Sequence, residues 1–328
     1  MIARALSMLS TRPGPVAYFG NSVTAQKDGF RTFLHPLIES ECGIRLPSVN
    51  AGFGGVGSLA SVCMMDRLVL RHAPRLCFIE CYTGDVGDRH HALSGVAIEA
   101  MLIKLREIEA HPVILLLPRK DVESDAARAL APLHRSVAAH HGAPVIDLIH
   151  RAQEWAPFLR DGVHTTPEGA KLYADAILSQ LLETEATPAI GTRMFADDLS
   201  RAGEISPGLF MDRKRPDGLL RLQAPYWKLA AGEAMTVALE EASLLGMTFI
   251  QGPHAGSIAV NGAPIALRDK WSTYERLHAV MLAAPLTAET SLEIEAVEGE
   301  FRLCSFLVCP SGALRSNEIF RGSESRRC

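Results

Sequence analysis

Ser22 lies in Tyr18-Phe19-Gly20-Asn21-Ser22-Val23-Thr24, at the end of a short apolar run, and Asp161-Gly162-Val163-His164 lies just before a long helical pattern. An aspartate and a histidine three residues apart in a turn can join carboxylate to imidazole Nδ1. Nε2 is then left to take a proton from a hydroxyl. With a serine as the hydroxyl, this is the chemistry of acyl transfer through a covalent serine ester. Each segment also has a plainer use, because serines cap helices at strand-to-helix turns and polar turns of this kind are common. The chemical reading therefore requires a fold that brings positions 22 and 164 together.

The intervening sequence is built to do so. Residues 14–184 alternate short β-rich runs with longer amphipathic patterns, which predicts βαβ units around a mostly parallel sheet. Strands are expected at 16–19, 46–50, 76–82, 113–117 and 145–148, and helices at 30–41, 59–72, 97–110, 126–141 and 168–183. Open α/β sheets bind ligands at the carboxyl ends of their strands. Ser22, Gly55, Asp85 and the pair Asp161 and His164 all follow such ends.

The ordered blocks carry a resemblance. Gly20-Asn21-Ser22-Val23-Thr24, Asn50-Ala51-Gly52-Phe53-Gly54-Gly55 and Asp161-Gly162-Val163-His164 resemble blocks of the SGNH (GDSL-type) hydrolases. That resemblance implies a flavodoxin-like three-layer domain with a five-stranded parallel sheet. It also implies Ser22 as nucleophile, His164 as base, Asp161 as its partner, and the Ser22 and Gly55 N–H groups as oxyanion donors, with no cofactor and no metal. Asn21 takes the place of the family's usual aspartate and is expected to shape the turn.

One block departs from the pattern. After the strand to Glu80 the family's Gly-x-Asn-Asp is replaced by Tyr82-Thr83-Gly84-Asp85, so the oxyanion asparagine is missing. Such a side-chain donor can be worth about 10²–10³ in rate. Either a backbone N–H at Gly84 or a longer side chain from elsewhere would have to replace it. Asp85, with Asp88, His90 and His91, is a candidate to line the same cleft, although His90 and His91 read more simply as loop surface.

From about residue 185 the texture changes. Short alternating runs at 236–239, 247–251, 257–260, 279–282, 291–296 and 301–308 are broken by turn signals such as Asn261-Gly262 and Glu298-Gly299. They predict an all-β sandwich of jelly-roll type, which gives domains of 1–194 and 195–328. This second region resembles accessory domains of carbohydrate-active SGNH proteins. Trp227, Trp271 and Tyr274 are candidates to stack on sugar rings, or else to fill the core.

Composition narrows the partners. A formal net charge of −4, from 33 basic and 37 acidic residues, comes with no basic run able to track a phosphate backbone, so nucleic acid is not expected. Arg321, Arg326 and Arg327 read as a solvated tail. The N-terminal stretch has no apolar segment of signal length, and no apolar run is long enough to span a bilayer. Seven cysteines without framework spacing suit a reducing compartment, so a cytoplasmic location is expected. Cys77 and Cys81 fall within one predicted strand, roughly 13 Å apart, too far to share an ion.

The expectation from sequence is an esterase or O-acyltransferase for small acyl esters of a saccharide. The alternatives are a carbohydrate-binding protein on a retired hydrolase scaffold and a thioesterase or lipase-like hydrolase. The sequence leaves hydrolysis versus transfer, and the oligomeric state, open.

Overall fold

Five parallel strands, β1 Val16–Gly20, β2 Ser48–Gly52, β3 Leu76–Glu80, β4 His111–Leu116 and β5 Val145–Asp147, form a sheet in the order β2-β1-β3-β4-β5. The structure is a computed structural model that describes residues 6, 9–10, 12–88, 90–183, 191–207, 211–214, 220–223, 225–239, 241–268, 272, 275–286 and 291–314. β1 and β3 are buried along their whole length. A parallel strand covered on both faces has no solvent side, which is why both read as unbroken apolar runs. Tyr18 pairs with Phe78 across them, and the two rings stack at 5.3 Å.

The helices are α1 Ser22–Ala25, α2 Phe30–Cys42, α3 Ser58–Leu68, α4 Tyr82–Asp85, α5 His91–Glu107, α6 Asp125–His140, α7 Ala152–Trp155 and α8 Pro167–Glu183. α2 and α8 cover one face, where Leu34, Ile38, Tyr173 and Ile177 join Tyr18, Phe78, Val113 and Leu115 in one core. α3, α5 and α6 pack side by side as the other layer. α5 begins six residues before the expected start at 97. Its residues from Leu93 to Leu102 are all buried, so no polar stripe marks where the helix begins.

The chain leaves β1 for β2 on one side and returns to β3 on the other. The carboxyl ends of β1 and β3 therefore form the topological switch point where open sheets place ligands. Behind it, Asp85 and His134, each about 1% exposed, make a buried pair of 2.9 Å, and Asp85 Oδ1 accepts the Ser58 N–H at 2.6 Å. One carboxylate thus ties α4 to the start of α3 and to α6.

Compact packing divides the chain after Ser200. The segment beyond residue 194 belongs to the first unit because Glu99 of α5 accepts the Met194 and Phe195 N–H groups, and Phe195 packs against Gly95.

The second unit is antiparallel. Its strands are β6 Gly203–Ile205, β7 Met211–Lys214, β8 Leu220–Gln223, β9 Trp227–Ala230, β10 Ala234–Val237, β11 Ala242–Gln251, β12 Ala255–Val260, β13 Ala263–Ala266, β14 Arg276–Leu286 and β15 Leu292–Pro310. β15 organises an eight-stranded sheet: its first half pairs with β10 and β12, its second with β9, β11 and β6. The runs expected as separate strands at 291–296 and 301–308 are this one strand. Glu298-Gly299 is an irregularity in the ladder opposite β12, not a turn between strands, and Gly299 has φ +71°. A bulge uses the same backbone freedom as a turn, so the local signal is shared. The resulting curl gathers Phe249, Ile258, Ile294 and Phe306 into one core. Asn261-Gly262 does form a hairpin, joining β12 to β13 with φ of +47° and +77°, the left-handed pair that a two-residue type I′ turn requires.

The six cysteines among the described residues are buried and form no disulfide with one another. Among those residues, no helix is long and apolar enough to cross a membrane. Arg321, Arg326 and Arg327 lie outside the described residues.

Replacing Asp85 with alanine strands the His134 imidazole and the Ser58 N–H in a dry interior. Urea unfolding is expected to show a loss of about 3–5 kcal/mol, and a loss under about 1 kcal/mol would contradict a structural role for the pair.

Candidate active site

The turn after β1 places Ser22 as the first residue of α1, with Asn21 as N-cap accepting the Val23 N–H at 3.4 Å. A first-turn N–H has no carbonyl four residues back to bond, so the Ser22 N–H is left for another acceptor. The turn after β2 folds against it: the Phe53 N–H donates to the Gly20 carbonyl at 2.8 Å, and a Cβ at position 54 would lie 3.6 Å from Ser22 Cβ.

His164 arrives from the far side of the sheet, on the loop between β5 and α8. Asp161 Oδ1 accepts the N–H groups of Val163 and His164 at 2.9 and 2.8 Å, which closes the turn. Its Oδ2 lies 2.8 Å from His164 Nδ1, and His164 Nε2 lies 2.9 Å from Ser22 Oγ. Burial pushes the Asp161 carboxyl up, but the two backbone N–H groups and the imidazole outweigh it and hold the group at about 2. An ionised Asp161 only accepts, so the imidazole proton sits on Nδ1 and Nε2 accepts from the serine hydroxyl. Three bonds fix the loop: the Gln26 side chain donates to the Thr165 carbonyl at 2.9 Å, the Lys120 N–H to Gly162 at 3.0 Å, and the Arg160 N–H to His164 at 2.9 Å. His164 is about a quarter exposed and Asp161 about half, so the chain of bonds opens to solvent.

The structure thus brings Ser22, His164 and Asp161 together, with the Gly54-Gly55 turn alongside. It does not bring Gly84 in as a donor. The Gly84 N–H is committed to the Cys81 carbonyl at 3.1 Å inside the first turn of α4. What glycine provides there is space: a Cβ at 84 would sit 2.3 Å from the Val56 carbonyl oxygen and 2.5 Å from Asn21 Nδ2. The Asn21 carboxamide occupies the volume a side chain at 84 would need.

Asp85 is not a cleft residue either, since it is buried on Ser58 and His134. His90, expected at the loop surface, is buried and paired with Asp88 at 2.8 Å, and His91 is half-buried at the start of α5. Trp227 is half-buried against Phe306, with ring centres 5.6 Å apart, and belongs to the β core. Trp271 and Tyr274 lie outside the described residues.

Sequence reasoning missed Glu80, Thr83, Gln26 and Arg119, whose guanidinium donates to the Thr83 carbonyl and pairs with Asp121 at 2.7 Å. Glu80 had a signal, an acid ending the apolar run Leu76-Cys77-Phe78-Ile79. Among the described residues Glu99, His140 and His141 are grouped closely enough to hold a metal ion. The Glu99 carboxylate accepts two backbone N–H groups and pairs with His141 Nε2 at 2.8 Å, and His140 Nε2 lies 2.8 Å from the Thr192 carbonyl.

Residues 18–172 match the model of the GDSL-like lipase/acylhydrolase family. The matched segment includes Ser22, Asp161 and His164 and lies within the α/β domain. The fold of both domains is shared with a two-domain esterase, CEX, active on acetylated mannans. Its structure with mannopentaose aligns at 14% identity and a TM-score of 0.68, covering 93% of this chain and 94% of that one. A second structure of CEX aligns at 13% identity and a TM-score of 0.67, covering 93% and 95%. No curated protein sequence matches significantly.

The geometry at position 84 makes a sharp prediction. Gly84→Asn, which supplies the asparagine that SGNH hydrolases carry in this block, should not raise esterase activity. It should lower stability by about 1–3 kcal/mol through overpacking against Val56 and Asn21, read as a drop in Tm. A gain in rate at unchanged Tm would show that the space is not filled as described.

Proposed function

We propose that this protein is a serine esterase that removes small acyl groups, acetyl above all, from a saccharide. The observation that carries the reading is the unbroken chain from Ser22 Oγ through His164 to Asp161, at 2.9 and 2.8 Å. His164 Nε2 takes the hydroxyl proton as Ser22 Oγ attacks the ester carbonyl, and ionised Asp161 stabilises the imidazolium that forms. The oxyanion meets the N–H groups of Ser22 and Gly55. As the tetrahedral intermediate collapses, His164 returns the proton to the leaving alkoxide and the acyl group stays on Ser22. Water, activated by the same imidazole, then releases the acid. A sugar hydroxyl in place of water gives O-acyl transfer by identical steps.

The choice of a small acyl ester of a sugar is supported by the match of residues 18–172 to the acylhydrolase family model and by the shared two-domain fold of an esterase active on acetylated mannans. The β domain is proposed as an accessory to that substrate class.

With p-nitrophenyl acetate, Ser22→Ala should lower kcat by at least about 10³-fold and Asp161→Asn by about 10²–10⁴-fold, with smaller changes in KM. Acetylated mannan or xylan oligosaccharides should release acetate with the same dependence on Ser22. Turnover by Ser22→Ala equal to that of the parent enzyme would eliminate the serine mechanism.

A further inference from the structure

Glu80 ends β3 at the switch point, opposite Gly20 in the register, and is fully buried. Its Oε1 lies 2.6 Å from Thr83 Oγ1 and its Oε2 lies 3.2 Å from Thr24 Oγ1. Thr83 Oγ1 lies in turn 2.9 Å from Asn21 Oδ1. The identity of that Asn21 atom is fixed from its other side, because it accepts the Val23 N–H.

Counting protons along this row decides its state. A threonine hydroxyl carries one proton. With Glu80 ionised, Thr83 Oγ1 would sit between two atoms that only accept, and one of the two short contacts would be lone pair against lone pair. One proton on Glu80 removes the conflict: Glu80 Oε1–H donates to Thr83 Oγ1, Thr83 donates to Asn21 Oδ1, and Thr24 donates to Glu80 Oε2.

We propose that Glu80 is a positioning residue that works as a neutral acid, its proton acting through Thr83 to orient the Asn21 carboxamide and so the turn that presents Ser22. This rests on the reading of Ser22 as nucleophile. Loss of the proton reverses the row. The Thr83 hydroxyl turns to the carboxylate, and Asn21 Oδ1 loses its donor. Asn21 Nδ2, buried and without a partner among the described residues, becomes the group that can face Thr83. Rotating the amide to do so withdraws Oδ1 from the Val23 N–H and uncaps α1.

The surroundings favour the proton. Burial pushes the Glu80 carboxyl up to about 7, with Asp85 adding to the rise, against the hydrogen bonds from Thr83 and Thr24. Asp85 and Cys81 face Glu80 from the turn after β3, and Tyr173 from α8. Burial holds the Cys81 thiol and the Tyr173 phenol well above their ordinary values, so both stay neutral across the range in which Glu80 titrates. The native state therefore holds a proton that the unfolded chain releases near the ordinary carboxylate value. Stability from this proton is complete below that value and is lost as pH rises through about 7.

The experiment compares wild type, Glu80→Gln, Glu80→Ala, Thr83→Val and Ser22→Ala on p-nitrophenyl acetate from about pH 5 to about pH 9, with stability measured at the same points. Gln presents a neutral N–H donor to Thr83 Oγ1 at every pH, giving up only the long 3.4 Å bond that Glu80 Oε1 accepts from the Thr83 N–H. Wild type should lose about tenfold in kcat on the alkaline side as Glu80 ionises. Glu80→Gln should hold the rate wild type shows with Glu80 protonated and lose both the alkaline fall and the parallel fall in stability. Glu80→Ala and Thr83→Val, which break the row, should be slow at all pH values. If Glu80→Ala does not fold, Thr83→Val, which leaves the carboxyl in place, carries the comparison. An alkaline limb unchanged in Glu80→Gln, or a Thr83→Val enzyme as fast as wild type, overturns the proposal. Undiminished turnover by Ser22→Ala instead overturns the reading beneath it.

Discussion

The hydrogen bond between Ser22 and His164 joins residues 142 positions apart, and the first domain is arranged around the distance it must cross. In the order β2-β1-β3-β4-β5, β1 and β5 are separated by three strand spacings, about 14 Å. An imidazole on the last residue of β5 cannot reach Ser22. The chain instead runs on through short helical turns and folds back in the segment closed by Asp161. Bonds from Gln26 and Lys120 fix that segment to the turn after β1 and to the loop after β4. The reach of one side chain therefore sets the length and anchoring of the loop that carries it.

On the serine side the constraint is different. Ser22 is presented by a four-residue helix, too short to hold itself together by its own hydrogen bonds. Its geometry is borrowed from below, where Asn21, Thr83, Thr24 and Glu80 form a buried polar row and Asp85 with His134 fixes the turn after β3. Buried polar groups cost stability unless they are satisfied. A row like this is stable in one arrangement of protons and strained in others, which is why the protonation of one carboxyl can be felt at Ser22. Gly84 belongs to the same design, since only the absence of a side chain there leaves room for the Asn21 carboxamide.

Much of this was legible in the chain. Short β-rich runs located the five strands of the parallel sheet within a few residues, most plainly for β1 and β3, because strands buried on both faces admit little but apolar side chains. The positions of Ser22, Asp161 and His164 after strand ends were also readable. The start of α5 was not, since a helix buried all round has no amphipathic edge. Nor was the unity of β15, because Glu298-Gly299 offers the same left-handed backbone whether the chain turns or bulges.

The sequence by itself determined which strands lie buried, which residue types stand at their carboxyl ends, and that a hydroxyl, an imidazole and a carboxylate were available there. These follow from local spacing and from the cost of exposing apolar surface. Tertiary structure alone decided that Gly84 spends its N–H within α4, that Asp85 turns inward to His134, and that Thr83 stands between two oxygens with a single proton to give. Each of these depends on atoms from separate strands meeting at a few ångströms, and a hydrogen bond has a direction and a length that no spacing along one chain encodes.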